Sequence, residues 1–347
     1  MYSDATPATD PQNDELDAIC EKDSYGIKVL YNPPSAGLDI VFVHGLTGSA
    51  YSTWYHEEGS KHWPRDLLKS DISDARVMTF GYDADITHFW KEAVQDGISG
   101  YADDLLGKLS RKRRHVVSVW FSILLFASFY QLCDYSDSEM YQGNRKIVFV
   151  AHSLGGLLTQ RALTFSRNSR FKHLQRIEAW TVGICFLGTP HHGADLAKWG
   201  RILTDIVSIA KPANSALVRL LERGSEVLRD VQGGFHNLLE TRKDEGSKIG
   251  ITCFYETLPT SPFTGALVVP TESAIISGEL NYPIRANHVV GKMEWTFMYY
   301  AKKFQNMTKF SNRKALGYED VIEEIRRLAN HDPHPRPSTQ CTRPNTG

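Results

Sequence analysis

Short apolar runs rich in β-branched residues alternate along this chain with longer stretches in which apolar residues recur at helical spacing. Runs of the first kind are typical of strands buried on both faces, and the alternation predicts a mostly parallel sheet with helices on both faces. The sequence therefore predicts an α/β fold. Strands are predicted at 26–31, 39–44, 76–82, 146–152, 180–187, 249–256 and 284–286, and helices at 63–69, 98–109, 154–166, 215–228 and 319–329.

The two ends of the chain do not follow this alternation. Residues 1–22 are polar and acidic, and residues 331–347 are rich in proline. Both ranges predict flexible tails on either side of one domain of residues 23–330. The first range also lacks the apolar run of a secretory signal, so the sequence predicts an intracellular protein.

Residues 116–133 form a different exception, because they are apolar on every side and follow the basic sequence Arg111-Lys-Arg-Arg114. The run is long enough to cross a thin bilayer. It lies, however, between two predicted strands of one sheet, and a hydrogen-bonded sheet cannot be divided by a membrane. The alternatives are a membrane span, an interfacial or lid-like helix, and an insertion foreign to the fold.

Composition narrows the function classes. The formal net charge is -1, which gives no electrostatic case for binding nucleic acid. The five cysteines are not spaced as metal ligands and are predicted to be reduced thiols. We therefore expect no nucleic-acid partner, and the chemistry proposed below needs neither a metal nor an organic cofactor.

The sequence Ala151-His-Ser-Leu-Gly-Gly156 overlaps the end of a predicted strand and opens a predicted helix. A serine among small residues at such a junction is typical of the nucleophile elbow, a tight turn that lifts the serine hydroxyl above the sheet. Ala151 stands where the elbow pattern has its first glycine, and a methyl group is about the largest side chain tolerated there. The pattern predicts an α/β-hydrolase fold with Ser153 as its nucleophile.

A second motif, Val41-Phe-Val-His-Gly-Leu-Thr-Gly48, is a strand followed by a glycine-containing turn. In a fold with an elbow, such a turn supplies one backbone N–H group to the oxyanion hole, and the residue after the nucleophile supplies the other. By position, these donors are Leu46 and Leu154. His44 is expected to shape the turn and need not act as a base.

A third motif, Phe186-Leu-Gly-Thr-Pro-His-His-Gly193, ends another predicted strand in a tight loop on the same edge. Adjacent histidines on one loop rarely ligate one metal ion without further partners. His191 and His192 are therefore expected to shape this loop.

The order nucleophile, acid, histidine along an α/β-hydrolase chain places the catalytic base after a late strand. His288, in Arg285-Ala-Asn-His288, is the histidine that meets this condition, since the others after Ser153 fall in loops, in polar helical surroundings or in the tail. Glu256 ends the predicted strand 249–256 and is the favoured acid. Glu272 is its competitor, and Asp195 is a remote third candidate.

These motifs together resemble the serine active site-containing protein family of α/β-hydrolases, which is lipase-like and related to the glycosylphosphatidylinositol inositol-deacylases and to the N-terminal hydrolase domains of fungal NACHT-type receptors. The resemblance implies action on acyl esters of lipids and a link to mitochondrial or endoplasmic reticulum membranes. It covers about residues 25–330. The segments that carry it are 42–48, Trp63-Pro-Arg-Asp-Leu-Leu68, 76–83, 151–156, 188–193, Cys253-Phe-Tyr-Glu256, Val269-Pro-Thr-Glu-Ser-Ala274 and Asn287-His288.

Two atypical apolar insertions, at about 116–142 and 289–306, depart from the family's pattern. Family members run almost directly into the elbow strand, and their Met-x-Lys-Phe segment follows the catalytic histidine closely, whereas here it is Met307-Thr-Lys-Phe310. Both insertions begin with Val-Val, as a translated splice donor would, and end in or just after Gln, as a terminal CAG would. We hypothesise that one or both are translated introns. Membrane-facing lid elements are the alternative.

Two functions follow from these patterns. The first is a serine esterase or lipase that cleaves acyl ester bonds of lipid-like substrates through Ser153, His288 and Glu256, with a lid drawn from 194–240. The second is a signalling or interaction module that keeps the hydrolase fold and binds a protein partner. A membrane surface is a possible partner in either case.

Overall fold

The computed structural model describes residues 25–46, 48–84, 98–113, 145–191, 215–256, 276, 281–286 and 306–331. Residues 215–226, 256, 281–286 and 306 are described by their backbone alone. The two predicted tails and most of both apolar insertions, 114–144 and 287–305, lie outside these ranges.

The strands in chain order are β1 (Gly26–Tyr31), β2 (Leu38–Val43), β3 (Tyr55–His56), β4 (Lys61–His62), β5 (Ala75–Gly81), β6 (Lys146–His152), β7 (Thr181–Leu187), β8 (Gly250–Glu256) and β9 (Asn281–Ala286). Seven of them form one sheet in the order β1-β5-β2-β6-β7-β8-β9, and β3 pairs with β4 separately. β1 is antiparallel to β5, and the other neighbours in the sheet are parallel. The predicted strands and the mostly parallel sheet are confirmed.

The helices are α1 (Trp63–Asp66), α2 (Leu68–Asp71), α3 (Ile98–Arg113), α4 (Leu154–Asn168), α5 (Lys172–Ala179), α6 (Ser215–Asp244) and α7 (Tyr318–Ala329), and a 3-10 turn covers Asn306–Thr308. The sequence did not predict α5, which is short and largely polar. The last helix, α7, is amphipathic, and the apolar side chains of one face are buried. They are Val321, Ile322, Ile325 and Leu328.

α6 is much longer than predicted, since it runs past residue 228 and through Gly233-Gly234 to Asp244. A glycine inside a helix costs about 1 kcal/mol relative to alanine. The buried side chains of Val231, Phe235 and Leu238 pack into the core layer beside α4 and offset this cost. Residues 227–240, which the sequence placed in a lid, are therefore part of the core, while 194–214 lie outside the described residues.

Two apolar layers cover the sheet. Successive residues of a strand point to opposite faces, so Val41 and Val43 enter the layer formed with α3, α4 and α6. Ile40 and Phe42 enter the layer formed with α1 and α7. In that second layer the ring of Phe42 meets the ring of Trp63 edge-on, with 5.1 Å between the ring centroids. Both faces of the sheet are thus buried, which explains the nearly uninterrupted apolar runs of its strands.

The parallel strands give the sheet two unlike edges. We call the end at which β2, β6, β7, β8 and β9 finish the carboxyl edge, and the end at which they begin the amino edge. Open α/β sheets bind their ligands outside the carboxyl ends of the strands. The carboxyl edge is therefore where functional residues are expected.

A buried charge cluster lies at the amino edge. Asp39 of β2 is fully buried, and its carboxylate accepts hydrogen bonds from the guanidinium groups of Arg76, Arg113 and Arg145. Arg76 binds both carboxylate oxygens, at 2.8 and 2.9 Å. Burial lowers the pKa of Arg113 to about 10 and the charge of Asp39 opposes that shift, so the guanidinium stays charged at neutral pH. We call these four residues the Asp39 cluster.

The Asp39 cluster also joins the two described ends of the first insertion. Arg113 is the last described residue before 114–144 and Arg145 the first after it, and Nη2 of Arg113 donates to the carbonyl oxygen of Arg145 at 2.7 Å. One carboxylate therefore holds both ends in place. The basic sequence that precedes the insertion is not a uniform surface run, since Arg113 is buried in the cluster. Arg114 lies outside the described residues.

Candidate active site

Ser153 stands at the turn between β6 and α4, on the carboxyl edge. Its backbone has φ 51° and ψ -128°, a left-handed conformation that non-glycine residues rarely adopt. Its N–H group donates to the carbonyl oxygen of Leu187 at 2.9 Å, which ties the turn to the neighbouring strand β7. The elbow predicted from the sequence is therefore present in the backbone geometry, with the predicted nucleophile at its apex.

The Ser153 hydroxyl is unusual for its position. Serine at the residue before a helix normally accepts a hydrogen bond from a backbone N–H group of the first turn. Here no such capping bond forms, and Oγ is buried without a hydrogen-bond partner among the described residues. An unsatisfied buried hydroxyl costs about 1–3 kcal/mol. The turn thus keeps this hydroxyl available for a partner other than its own helix.

Two glycines allow the turn after β2 to lie directly against the elbow. A Cβ atom added at Gly45 would lie 2.8 Å from Cβ of Ser153, and one added at Gly155 would overlap the carbonyl oxygen of His44. Any side chain at either glycine would separate the two turns. The close approach brings the predicted oxyanion-hole loop beside the nucleophile.

The two predicted oxyanion donors lie on these facing turns. Leu154 is the first residue of α4, so its N–H group has no acceptor within the helix. Leu46 follows Gly45 directly, and its side chain is buried. The helix N-terminus adds a partial positive charge at the same place. The assignment of these two residues to the oxyanion hole stays a prediction.

His44 shapes the first of these turns, as the sequence predicts. Its Nδ1 lies 2.9 Å from the carbonyl oxygen of Gly45, and its Nε2 accepts a hydrogen bond of 3.3 Å from the backbone N–H of Tyr82. The Tyr82 hydroxyl donates to the His44 carbonyl oxygen at 2.8 Å, and the two rings stack at 4.2 Å. Burial lowers the pKa of His44 to about 4, so the ring is neutral near pH 7. This role of Tyr82 was not predicted from the sequence.

His152, immediately before the nucleophile, is also buried. Burial is the main cause that lowers its pKa to about 3, and the nearby charges of His44 and Lys309 lower it further. The imidazole is therefore neutral throughout the ordinary pH range. Two neutral histidines flank the elbow without adding positive charge to it.

Thr189 is a further residue that the sequence analysis did not single out. Its hydroxyl donates to the carbonyl oxygen of Ser153 at 3.0 Å, and the N–H group of Gly156 donates to the same oxygen at 3.0 Å. The Thr189 side chain also fills the space beside Gly156, where an added Cβ would overlap it. The loop after β7 thus holds the strained turn from the side opposite the oxyanion loop.

His191 shapes that same loop, in agreement with the prediction. Its Nδ1 lies 2.9 Å from Nε2 of Gln160 in α4, and its Nε2 lies 3.6 Å from Sγ of Cys253 in β8. Within the described parts of the chain, no group of histidine, cysteine and acidic residues could hold a metal ion. Burial raises the pKa of Cys253 to about 12, so this thiol is not a nucleophile at neutral pH. His192 lies outside the described residues.

The backbone register places the favoured acid beside the strand that leads to the predicted base. Glu256 is the last residue of β8 and is paired with Ala286, the last residue of β9. His288 follows Ala286 by two positions in the sequence. His288, Glu272 and Asp195 themselves lie outside the described residues.

Comparison with known proteins agrees with this geometry. Residues 129–245, which include the elbow, match the family described as "Putative serine esterase (DUF676)". The chain is 28% identical over 289 residues to Protein SERAC1 of Danio rerio, covering 76% of this chain and 38% of the relative. It is 27% identical over 348 residues to Protein SERAC1 of Homo sapiens, covering 92% and 44%. The chain is related to the SERAC1 proteins.

The mostly parallel sheet, with a left-handed serine at the turn between β6 and α4, is the arrangement of an α/β-hydrolase fold. The lipase BlEst2 of Bacillus licheniformis is a similar solved structure, with a TM-score of 0.43 and 17% identity over 87% of this chain and 95% of that one. The chain spans about two fifths of the length of the SERAC1 relatives that it matches.

One departure from the family pattern can be placed in the fold. Met307 and Phe310 of the displaced Met-x-Lys-Phe segment are buried, and Sδ of Met307 lies 3.2 Å from the position of a Cβ added at Gly188. Gly188 directly follows β7 on the carboxyl edge. The segment therefore returns beside the elbow, even though 287–305 separates it from the predicted base.

The described part of the chain also bears on a membrane span. No helix within it has both the length and the apolar character needed to cross a bilayer. The apolar run 116–133, for which a span was one alternative, lies outside the described residues.

Proposed function

We propose that this protein is a serine hydrolase of the esterase or lipase type, which cleaves acyl ester bonds of lipid-like substrates. The observation that carries the proposal is the Ser153 hydroxyl, which is buried at a turn with a left-handed backbone and makes no hydrogen bond to its own helix. A serine placed only to cap a helix would not need this strain.

The proposed reaction has two steps. Oγ of Ser153 bonds to the acyl carbon while its proton passes to His288, and the amides of Leu46 and Leu154 bind the developing oxyanion. The alcohol leaves with the proton from His288, and an acyl-serine remains. Water then adds to the acyl carbon, gives its proton to His288, and releases the carboxylic acid as the proton returns to Ser153.

The acid of the triad is proposed to be Glu256. Support comes from the backbone pairing of Glu256 with Ala286, since the loop that carries His288 begins at that point. A carboxylate there would orient the imidazole and stabilise its protonated form. Glu272 remains the alternative acid.

Substrate and location are further proposals. The resemblance suggests acyl esters of lipids and an association with mitochondrial or endoplasmic reticulum membranes. Since the chain spans only part of its SERAC1 relatives, neither property can be carried over from them directly. A phenotype that depends on a protein partner and survives Ser153→Ala would favour the interaction-module function instead.

The nucleophile can be tested by covalent labelling with a fluorophosphonate. Wild-type protein should be labelled at Ser153, and Ser153→Ala should lose labelling and about 10⁴ to 10⁶ in ester hydrolysis rate with nearly the same melting temperature. Ser60→Ala is the matched control, because Ser60 is another serine with a positive φ, of 44°. Labelling that persists in Ser153→Ala would contradict the assignment. An acyl-chain-length series on the wild type would then define the substrate.

The acid can be tested by comparing Glu256→Gln with Glu272→Gln. The true partner of His288 should lose roughly 10³ to 10⁴ in turnover, because an amide favours the wrong imidazole tautomer. The other variant should lose far less. Near-normal rates in both would move the assignment to Asp195.

A further inference from the structure

Four exposed basic side chains gather at the amino edge of the sheet, where α3 ends and α5 begins. The two segments touch, since the Ser110 hydroxyl donates to the carbonyl oxygen of His173 at 3.3 Å. Each of the four is exposed, and none makes a hydrogen bond or ion pair with a described residue. They are Arg111, Lys112, Arg170 and Lys172.

Acidic residues are absent from the sequence around these cations. Residues 105–113 and 167–177 contain no Asp or Glu, so the nearby sequence offers these cations no carboxylate. Some exposed cations elsewhere do have such a partner, as Arg313 has Asp71 at 3.0 Å. Like charges held close together repel one another unless an anion covers them. The arrangement therefore favours a partner with several negative charges.

An exposed aromatic ring lies between two of these cations. Phe171 is 55% exposed and occupies the residue before α5, where its side chain makes no capping hydrogen bond. Serine, threonine, aspartate and asparagine are strongly preferred at such a position. Its backbone is fixed nonetheless, because the N–H group of Phe171 donates to Oγ of Ser169 at 3.2 Å. A phenyl ring is thus held largely in solvent on a fixed turn, although it also contacts the ring of His173, with 5.7 Å between the ring centroids.

We propose that Arg111, Lys112, Arg170, Phe171 and Lys172, which we name the basic patch, bind an anionic lipid surface. Cations near such a surface are attracted to its negative potential, and an aromatic ring between them enters the boundary between headgroups and acyl chains. Phe171 favours a membrane over a nucleic acid. The cations could contact phosphates of either partner, but a membrane also offers an apolar boundary that the phenyl ring between them can enter. The sequence after α3 is also apolar over 116–133.

The position of the basic patch has a consequence for the proposed enzyme. The patch lies at the amino edge, and Ser153 lies at the carboxyl edge of the same sheet. A membrane bound by the patch would therefore lie on the side away from the nucleophile. The patch anchors the domain and does not deliver substrate from the bound surface to Ser153. This inference does not depend on the proposed hydrolase activity.

Vesicle partition of the full chain tests the proposal. Binding to phosphatidylcholine vesicles should rise strongly when phosphatidylserine is added and fall with salt. Each basic residue near the surface contributes about fivefold to the partition coefficient, so Arg170→Gln with Lys172→Gln should lower it by about 25-fold. The matched control is Lys61→Gln with Lys69→Gln, which removes the same charge from two lysines that are exposed away from the patch. It should change partition by less than about threefold, the smaller effect expected from net charge alone.

Phe171→Ala tests the apolar contribution to vesicle binding. It should lower partition at high salt, where the electrostatic part is screened, and leave the salt dependence unchanged. Equal losses in both double variants would show that only net charge matters and would overturn the proposal. So would tighter binding of duplex DNA than of anionic vesicles with no effect of Phe171→Ala. An unchanged melting temperature confirms that each variant is folded.

Discussion

The two edges of the central sheet differ in how their buried polar groups are hydrogen-bonded. At the carboxyl edge, Ser153 has a strained backbone and a buried hydroxyl without a described partner, and its neighbours His44 and His152 are kept neutral by burial. At the amino edge, the carboxylate of Asp39 accepts hydrogen bonds from three guanidinium groups. The carboxyl edge leaves the buried Ser153 hydroxyl without a described hydrogen-bond partner. The amino edge surrounds a buried carboxylate with hydrogen-bond donors.

The difference indicates that residues important for reactivity and residues important for stability lie at opposite edges of the sheet. Strain and unpaired polar groups are typical of sites that bind or react, whereas a fully hydrogen-bonded ion cluster fixes the arrangement of segments distant in sequence. Substitutions at the carboxyl edge should therefore change reactivity more than stability. Substitutions in the Asp39 cluster should do the reverse.

The largest effect on stability is expected for Asp39→Asn. The amide leaves three guanidinium groups at the amino edge without their anion, and removing one partner of a buried ion pair costs about 3–5 kcal/mol. Chemical denaturation should show this loss in the free energy of unfolding. The fluorophosphonate labelling rate of the folded fraction should stay unchanged.

Asp104→Asn is the control for Asp39→Asn. Asp104 pairs with Lys108 at 2.7 Å on the surface of α3, an arrangement worth about 0.3–0.5 kcal/mol. A loss for Asp39→Asn as small as this would show that the Asp39 cluster does not hold the amino edge together.

A smaller effect is expected from acid. A histidine whose folded pKa lies below its unfolded value near 6.5 is protonated first in the unfolded chain, so stability is lost as pH falls below about 6.5. With folded pKa values of about 4 for His44 and about 3 for His152, each should contribute a loss of roughly 2–3 kcal/mol by about pH 4.5. This loss arises at the carboxyl edge, where both histidines lie.

The free energy of unfolding as a function of pH measures this contribution. His152→Gln should reduce the slope between about pH 6 and 4 by up to 1.4 kcal/mol per pH unit. His236→Gln, which replaces an exposed histidine of α6, is the control for the substitution itself. Identical slopes in the wild type and His152→Gln would refute the neutral, buried state of His152.

The smallest effect is expected for Thr189→Val, which removes the hydroxyl that donates to the Ser153 carbonyl oxygen. One hydrogen bond is worth about 1 kcal/mol, so the labelling rate and kcat should fall roughly fivefold to tenfold with KM nearly constant. Thr189→Ser should restore most of the rate, since it keeps the donor.

Thr181→Val provides a matched control at the other end of the same strand. Thr181 begins β7 at the amino edge, and its hydroxyl donates to the carbonyl oxygen of Ile177 at 2.6 Å. It should lose similar stability and keep its labelling rate. Equal catalytic losses in both valine variants would mean that Thr189 has no positioning role.

Much of the fold was predictable because its strands are buried on both faces. The runs around Val41 and Phe149 are apolar without interruption, and this signal does not depend on the rest of the structure. The length of α6 was predicted wrongly because two adjacent glycines such as Gly233-Gly234 usually end a helix. The helix continues here because its side chains pack against parts of the chain that are distant in sequence. The Asp39 cluster could not be predicted either, since its members are up to 106 residues apart.

The residues of the candidate site also divide into those that a local motif indicates and those that act through contacts distant in sequence. Ser153, Leu46 and Leu154 belong to local turn motifs that can be recognised in the sequence, and the structure has them on facing turns. Their catalytic roles remain predictions. Thr189 acts through a hydrogen bond between two loops that are 36 residues apart, and a threonine in a loop has many other possible roles. The pairing of Glu256 with Ala286 agrees with the preferred acid. Its choice over Glu272 remains a prediction, as does the role of His288.

The Asp39 cluster has a consequence for the history of the gene. Because one carboxylate holds Arg113 and Arg145 together, the chain can leave and re-enter the domain there without displacing a strand. The entropy of closing a flexible loop grows slowly, by about 0.6 kcal/mol for each doubling of its length. Sequence of almost any length could therefore be gained or lost between these two arginines with little selective penalty on folding. A retained intron, a new exon or its later deletion would all enter the protein through the same junction.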